Sequence, residues 1–269
     1  MMIRQLRSEW MRGRGRPVEK YTGAVVIVLG VLIPVVMMFV SGRRAGMRAS
    51  ALETLAFPSS LRAAQAMATI MGPFWAAAIG ANIIGAEFQY GTWPLLLVRS
   101  PSRVRLALVK VLIAAARIAA LTVVGTLTFV AMGAVIRLVF GAPQAGPATA
   151  TAGALLIPFV GIGGAMAFAA ATGFTITVVS RSVVFGMLTG ALALPLLMAI
   201  RFKETASWIP YVHLENIQWR LLTGRPGPML RQLYEFNMSG RASAAIVAFE
   251  LAVVLGIALL VFRRQEIVY

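Results

Sequence analysis

The sequence predicts an all-α integral membrane protein, a bundle of six transmembrane helices within a single domain that spans residues 1–269. Two observations predict this class. The 269 residues are 59% hydrophobic with a mean hydropathy of +0.82, whereas soluble domains are roughly 45 to 50% apolar. The apolar residues also form continuous runs, unlike the alternating pattern of barrel strands. No polar stretch is long enough for a separate soluble core, so we expect one membrane domain.

Six apolar runs each reach the length of about 17 to 25 residues that a helix needs to cross the hydrocarbon core. They are residues 23–40, 61–85, 111–140, 152–179, 182–200 and 243–262. An even number of crossings places both termini on the same side of the membrane. Six basic residues precede Tyr21, and the first span usually dominates insertion. We therefore expect a multi-pass protein of the bacterial plasma membrane with cytoplasmic termini.

Two further segments have the composition of membrane-surface elements. Residues 1–20 alternate apolar side chains with arginines, which predicts an interfacial helix in contact with anionic headgroups. Residues 201–242 are too long and too rich in aromatic and aliphatic residues for a simple loop. We expect this second segment to form one or two short helices that dip into the outer leaflet before the sixth span.

The region 86–110, between the second and third spans, is a basic and amphipathic interruption with two successive helix starts. Thr92 is suited to cap a short helix that holds Pro94 in its first turn. Ser100 is suited to cap a second helix with Pro101 at its first position, and that helix leads into the third span. A simple connector needs only a few polar residues, so this region is interpreted as a docking element.

This region resembles the membrane-domain signature of ABC-2 type ATP-binding-cassette permeases. The matching pattern is a glutamate at the end of the second span, then Gly-Thr, a short Leu-rich helix, Pro-Ser-Arg and a downstream lysine. The resemblance implies that the short helix is a coupling helix, seated in a cleft of a separate ATPase subunit. Pro94 departs from the pattern and shortens that helix. The residues assigned to coupling in this way are Glu87, Gly91, Thr92, Trp93, Leu95, Leu96, Leu97, Arg99, Pro101, Ser102, Arg103 and Lys110.

The resemblance also implies a function and a set of partners. The chain would be the transmembrane subunit of an ATP-driven exporter, with a second copy or a homologue completing the substrate path and two ATPase subunits supplying energy. The sequence contains no GxxxxGK[ST] phosphate loop. We therefore expect no enzymatic activity and no cofactor in this chain, with ATP and Mg bound by the partner ATPase.

Composition argues against several other classes of function. The net charge of +16 comes largely from arginines at the edges of apolar runs, where they set topology and contact lipid headgroups. This distribution favours the bilayer over nucleic acid as a partner. The absence of cysteine excludes thiolate catalysis, Cys-based zinc sites and disulfides. His213 and Glu215 are two positions apart and do not share a helix face, so neither a metal site nor a catalytic site is expected.

Three ionisable residues fall inside the predicted spans, namely Arg117, Arg137 and Glu250. An isolated charge near the bilayer centre costs at least about 2.5 to 3.5 kcal/mol, so such groups usually pair or face water. One interpretation pairs Arg137 with Glu250 near the outer side. The other has Arg137 snorkelling and Glu250 protonated or facing water. Arg117 is expected to pair with Glu87 or to line an inner vestibule.

Two other functions remain open at this stage. An ion-coupled secondary transporter would usually show two related halves and ionisable residues near the midplane, and the sequence displays neither a repeat nor a convincing relay. A non-transporting membrane scaffold or assembly factor would act independently of ATP hydrolysis. The sequence does not identify the transported substrate, the choice between homodimer and heterodimer, or the residues that line the path.

Overall fold

A computed structural model of the chain describes residues 7–8, 10–11, 17–41, 45–55, 60–93, 95–96, 102–141, 152–199, 209–223 and 238–264. These residues are helical apart from short turns and caps, and they include no β-strand. The all-helical class is therefore confirmed. The main helices are α1 (Pro17–Ser41), α2 (Ala45–Leu55), α3 (Ser60–Gln89), α4 (Arg103–Phe140), α5 (Ala152–Ser180), α6 (Val183–Ala199), α7 (Pro210–Thr223) and α8 (Gly240–Arg264).

Four helices in the described part of the chain are long and apolar enough to cross a membrane. They are α1 from Tyr21 onward, α4, α5 from Gly163 onward, and α8. The second and fifth predicted spans correspond to α3 and α6, which are not among these four. The membrane-spanning architecture is thus confirmed, and the total of six spans stays a prediction.

The helices extend beyond the apolar runs that predicted them. The first begins at Pro17 instead of residue 23, and α3 continues to Gln89, inside the region expected to be a separate element. A hydropathy pattern marks only the apolar part of a helix, whereas backbone hydrogen bonds continue until a cap ends them. The same limitation explains why α2, which has no long apolar run, was not predicted.

The start of α4 corrects one sequence-based expectation. The helix begins at Arg103, and its N-cap is Ser102, whose hydroxyl accepts a 3.4 Å hydrogen bond from the Arg105 amide. Ser100 and Pro101 therefore precede the cap, and the prediction that Ser100 caps this helix was wrong. Ser100 and Ser102 both precede the helix and both carry a hydroxyl that could cap it. The helix starts after Ser102, because the hydroxyl of Ser102 accepts the bond from the amide three residues later.

The centre of the bundle is formed by α3, α5 and α6, which approach closely because small residues face each other. A Cβ atom on Gly173 of α5 would lie 2.8 Å from the backbone oxygen of Ala77 on α3. A Cβ atom on Gly190 of α6 would lie 2.8 Å from the Cα atom of Gly173. These small residues therefore mediate packing between helices of one chain. Outside this centre, α4 packs against α3, and α1 packs mainly against α4.

The helix α7 packs against α5 and α8 and contributes to the main apolar core. Leu214 is buried in the same cluster as residues of α3, α4 and α5. Asn216 donates hydrogen bonds to the Ser243 hydroxyl on α8 (2.7 Å) and to the Met238 carbonyl (3.0 Å). His213 Nδ1 lies 3.3 Å from the same Ser243 oxygen. His213 is therefore part of a buried polar contact between α7 and α8. Residues 201–208 and 224–237 of the predicted dipping segment lie outside the described part.

Candidate functional site

The helix α3 ends in a motif that reverses the direction of the chain. Gly91 adopts a left-handed conformation with φ of +62°, which a glycine tolerates without a Cβ clash. The Thr92 amide bonds the Glu87 carbonyl at 3.1 Å, and the Gly91 amide bonds the Phe88 carbonyl at 3.4 Å. This pair of bonds is the Schellman arrangement of a helix C-terminus. It returns the chain over the last turn of α3, so that Thr92 lies beside the Glu87 side chain.

A buried ion pair joins the end of α3 to α4. The Lys110 ammonium donates to the Glu87 carboxylate at 3.0 Å and to the Ile83 carbonyl at 2.9 Å. The Thr92 hydroxyl donates to the second carboxylate oxygen of Glu87. The two side chains are 4% exposed at Glu87 and 0% at Lys110. Because each charge has a charged partner and a further hydrogen bond, the pair can persist in a dry environment.

Trp93 covers this ion pair with an aromatic cluster. Its side chain is buried, and its ring centroid lies 4.7 Å from that of Phe262 on α8 and 5.4 Å from that of Phe88. The Lys110 ammonium lies 5.6 Å from the same ring, within the range of a cation–π contact. The Trp93 indole nitrogen is buried and makes no hydrogen bond to the part of the chain described. Trp93 therefore connects the turn with α3, α4 and α8 at once.

The residues on either side of Trp93 differ in their exposure to the surroundings. Leu96 is buried in the Trp93 cluster, and its amide bonds the Thr92 carbonyl at 3.2 Å, which continues one helical turn. Leu95 is 68% exposed, and Tyr90 just before the turn is 75% exposed. The turn thus has a buried base and an exposed apolar tip.

The structure brings together four of the residues that sequence analysis assigned to coupling, namely Glu87, Thr92, Trp93 and Lys110. Gly91 supplies the reversal, Leu96 joins the cluster and Leu95 forms part of the tip. Ser102 is an exposed helix cap and Arg103 is half-buried at the start of α4. Leu97, Arg99 and Pro101 lie outside the described residues, as does Pro94.

Phe262 is the member of this cluster that sequence analysis missed. It lies at the end of the last apolar run, 169 positions after Trp93 in the sequence, and no spacing rule connects the two. Its only sequence signal is its place directly before Arg263 and Arg264, which marks the end of the span. Only the packing of α8 against the rest of the bundle reveals the contact.

Arg117 contacts an aromatic ring that sequence analysis did not anticipate. Its guanidinium carbon lies 5.7 Å from the centroid of the Trp10 ring, a cation–π contact between α4 and the N-terminal segment. Glu87 instead binds Lys110, two helical turns closer to the start of α4. Arg117 therefore links α4 to the N-terminal segment, and its expected pairing with Glu87 or place in an inner vestibule stays a prediction.

Arg137 and Glu250 lie at different depths along their helices, and the choice between the two interpretations of these residues stays open. Trp93 contacts both Lys110 and Phe262, so these two residues mark one level of the bundle. At 1.5 Å per residue, Arg137 lies about 40 Å from that level along α4, and Glu250 lies only about 18 Å along α8. Arg137 is in the last turn of α4, where a cation interacts favourably with the helix dipole. One carboxylate oxygen of Glu250 is buried without a hydrogen bond to the described residues.

The connection between α5 and α6 lies at the same end of the molecule, since a Cβ atom on Gly85 would meet the side chains of Thr177 and Val183. Arg181 in this turn has a φ of +56°, and its amide bonds the Thr177 carbonyl at 2.8 Å. Ser182 caps α6 by accepting a 3.3 Å bond from the Phe185 amide. An arginine in a left-handed conformation is strained, and here Arg181 is exposed at the same end of the molecule as the turn after α3.

With this geometry established, the chain can be compared with known proteins. The family model described as ABC-2 family transporter protein matches residues 18–200. The matched region is more than half of the chain and includes the whole stretch from Glu87 to Lys110. Comparison with curated proteins and with solved structures finds no match.

Proposed function

Because the chain belongs to the ABC-2 transporter family, we propose that it is the transmembrane subunit of an ATP-driven exporter. Six spans form half of the transporter, and a second copy or a homologue forms the other half. Two ATPase subunits on the cytoplasmic side bind ATP and Mg and perform the hydrolysis. The permease itself is not an enzyme. Both of its termini are cytoplasmic, and the assembly resides in the bacterial plasma membrane.

The observation that supports coupling through this site is the combination of a buried base and an exposed tip. Tyr90 and Leu95 present apolar side chains to the outside, and apolar anchors of this kind fill clefts at protein interfaces. Directly beneath them, Trp93 and the Glu87–Lys110 pair connect the tip to α3, α4 and α8. A push on the tip would therefore move three helices together, as alternating access driven by a partner requires.

The flanking basic residues supply a second element of the proposed interface. Arg105 is exposed at the start of α4, and Arg263 and Arg264 are exposed at the end of α8. The Trp93–Phe262 contact places both helix ends beside the tip. We expect an ATPase cleft that receives the apolar tip and carries acidic groups around its rim, because complementary charge guides association.

The test is copurification of the ATPase subunit with the permease. Leu95→Ala combined with Tyr90→Ala removes the apolar tip without touching the buried base. We expect this variant to insert normally but to lose most of the copurified ATPase. Leu138→Ala is the matched control, since Leu138 is 84% exposed near the far end of α4. Full ATPase retention by the tip variant, or transport by the purified permease without any nucleotide, would overturn the proposal.

A further inference from the structure

The last helix, α8, carries a single ionisable residue between the arginines near its two ends. This residue is Glu250, which lies about 15 Å from the start of the helix at Gly240 and about 21 Å from its end at Arg264. Because the hydrocarbon core of a bilayer is about 30 Å thick, Glu250 is near the middle of the span. A charged side chain at that depth is costly to insert, and it therefore indicates a functional group with a partner.

Glu250 lies at the boundary between the packed and the exposed faces of α8. Val247, about one turn earlier, is buried in the apolar core, whereas the adjacent Phe249 is 68% exposed. Glu250 itself is half-buried, and its Oε2 atom is buried. The carboxyl group therefore borders the interior of the bundle and can still be reached from the surrounding membrane.

Contacts on both sides of Glu250 hold this part of α8 in place. About 10 Å toward the start of the helix, the Ser243 hydroxyl accepts a hydrogen bond from Asn216 of α7. About 6 Å toward its end, the Val254 carbonyl accepts a hydrogen bond from Thr175 of α5. Neither contact uses the carboxyl group. The position of Glu250 is therefore fixed by its neighbours, while its own oxygens stay available for a ligand.

The described residues supply no cation to this carboxyl group. They donate no hydrogen bond to its Oε2 atom, and they form no ion pair with Glu250. Two cations within the spans are engaged elsewhere, since Lys110 pairs with Glu87 and Arg117 lies against the ring of Trp10. The helices α5 and α6 contain no ionisable residue at all. A cation that neutralises Glu250 has to come from outside the described part of the chain.

The surroundings of Glu250 limit the class of cation that can bind there. Metal ions such as Ca²⁺ require several oxygen ligands, and the described residues include no cluster of three acidic or histidine side chains. The headgroups of resident lipids lie near the ends of α8, about 15 Å or more away. An organic cation with an apolar body enters the bilayer, and it can contact both the carboxylate and the aliphatic side chains next to it, Val247, Leu251 and Val254.

We propose that Glu250 binds the cationic group of a membrane-soluble organic cation, whose apolar part lies against α8 and the surrounding bilayer. Charge attraction is strong in this environment because the dielectric constant is low, so the site selects its ligand by charge more than by shape. The binding site does not depend on the proposed function. The identification of the ligand as exported cargo does rest on it.

The experiment uses the permease alone in phosphatidylcholine nanodiscs, without ATPase or nucleotide, so that its outcome is independent of coupling. The probe is radiolabelled methyltriphenylphosphonium, and equilibrium dialysis against empty nanodiscs corrects for partition into the lipid. We expect saturable binding to one site per chain. Glu250→Gln keeps the shape of the side chain and removes its charge, so the affinity for the phosphonium should fall at least about tenfold.

Three controls isolate the role of the charge. Glu53→Gln removes an exposed carboxylate from α2 and should leave the affinity unchanged. Glu250→Asp keeps the charge and should bind the phosphonium more tightly than Glu250→Gln does, which a merely structural role would not predict. Triphenylphosphine oxide has nearly the shape of the probe but no charge, so it should not displace it.

Three results would overturn the proposal. The first is a Glu250→Gln variant that binds the phosphonium as the native protein does. The second is displacement of the probe by triphenylphosphine oxide as effectively as by the unlabelled phosphonium. The third is a Glu250→Asp variant whose affinity is no higher than that of Glu250→Gln.

A separate measurement tests whether the ligand is cargo. In the assembled complex with the ATPase, methyltriphenylphosphonium should stimulate ATP hydrolysis with the native permease and not with Glu250→Gln. Binding without stimulation would refute the identification as cargo and leave the binding site supported. Failure of the proposed function itself would look different, because no ATPase would then copurify with the native permease.

Discussion

Lys110 is the residue on which the proposed coupling site depends most directly. It is fully buried on α4, and its ammonium bonds a carboxylate and a backbone carbonyl of α3 while lying against the Trp93 ring. Burying two charges gains little overall, but the loss of one partner leaves the other uncompensated. The pair therefore specifies how α3, α4 and the turn are arranged, and it does so more than it raises the total stability.

Substitution of one partner tests this reasoning. Lys110→Met should lower the free energy of unfolding by about 3 to 5 kcal/mol, because Glu87 is then buried without a cation. The double variant Lys110→Met with Glu87→Gln should recover much of that loss, since glutamine is neutral and can still accept the Thr92 hydrogen bond. Thermal unfolding of the three purified variants in one detergent measures both effects. A double variant no more stable than the single would contradict the ion-pair explanation.

Arg181 provides a second prediction at the scale of one residue. A non-glycine residue in the left-handed region costs about 1 to 2 kcal/mol, and glycine avoids this cost. Arg181→Gly should therefore be more stable than Arg181→Ala by about 1 kcal/mol. Both variants lose the arginine side chain, so the comparison isolates the backbone. Equal melting temperatures for the two would show that the turn relaxes and that no strain is present.

At the scale of elements, the closest helix contact is the one between α3 and α5. Gly173→Ala would place a methyl group 2.8 Å from the Ala77 carbonyl oxygen, so the two helices would have to separate. We expect a clear loss of stability and of folded yield. Gly256→Ala on α8 is the control, because nothing lies within 4 Å of the added carbon. Size-exclusion profiles and melting temperatures of the two variants should differ markedly.

The last helix connects the coupling site to the opposite side of the bundle. Phe262 packs against Trp93 at one end of α8, and Ser243 bonds Asn216 of α7 near the other. Between them, the Val254 carbonyl accepts a 3.0 Å bond from Thr175 of α5. A displacement of the turn would thus reach α7 through a continuous helix that contains no proline.

Phe262→Ala should loosen the turn after α3 that holds Trp93, because it removes the ring that Trp93 packs against. We expect faster proteolysis between Tyr90 and Arg105 and reduced ATPase copurification, with a loss of about 3 to 5 kcal/mol in stability at most. Phe249→Ala is the matched control, since Phe249 lies on the same helix and is 68% exposed. Equal protease sensitivity in the two variants would exclude Phe262 from a role in holding the turn.

At the scale of the whole molecule, the proposed coupling requires that Tyr90 and the turn beside it face the cytoplasm and that the far end of α4 face the outside. The chain contains no cysteine, so single cysteines can report topology without background. Tyr90→Cys near the tip should react with an impermeant maleimide only after the cells are opened. Phe140→Cys at the far end of α4 should react in intact cells, because about 45 Å of helix separates it from Lys110. Labelling of Tyr90→Cys from outside would exclude docking of a cytoplasmic ATPase.

Sequence analysis anticipated those parts of the molecule that depend on local pattern. Continuous apolar runs predicted helices at every place where the described spans occur, because a helix is the structure that satisfies its own backbone in lipid. The signature from Glu87 to Lys110 contains the four residues Glu87, Thr92, Trp93 and Lys110, which the structure brings together. Helix ends were less accurate, as α4 shows, because two serines near its start offered equivalent caps and the sequence did not distinguish them.

Long-range contacts could not be read from the sequence, because no local pattern encodes which distant side chain fills a given space. The sequence alone determined the membrane class and the family resemblance, since these follow from hydropathy and from motifs of neighbouring residues. The tertiary structure established that Lys110 pairs with Glu87 and that Phe262 packs against Trp93. These facts depend on the packing of α3, α4, α5 and α8 against one another, and packing is a property of the assembled bundle.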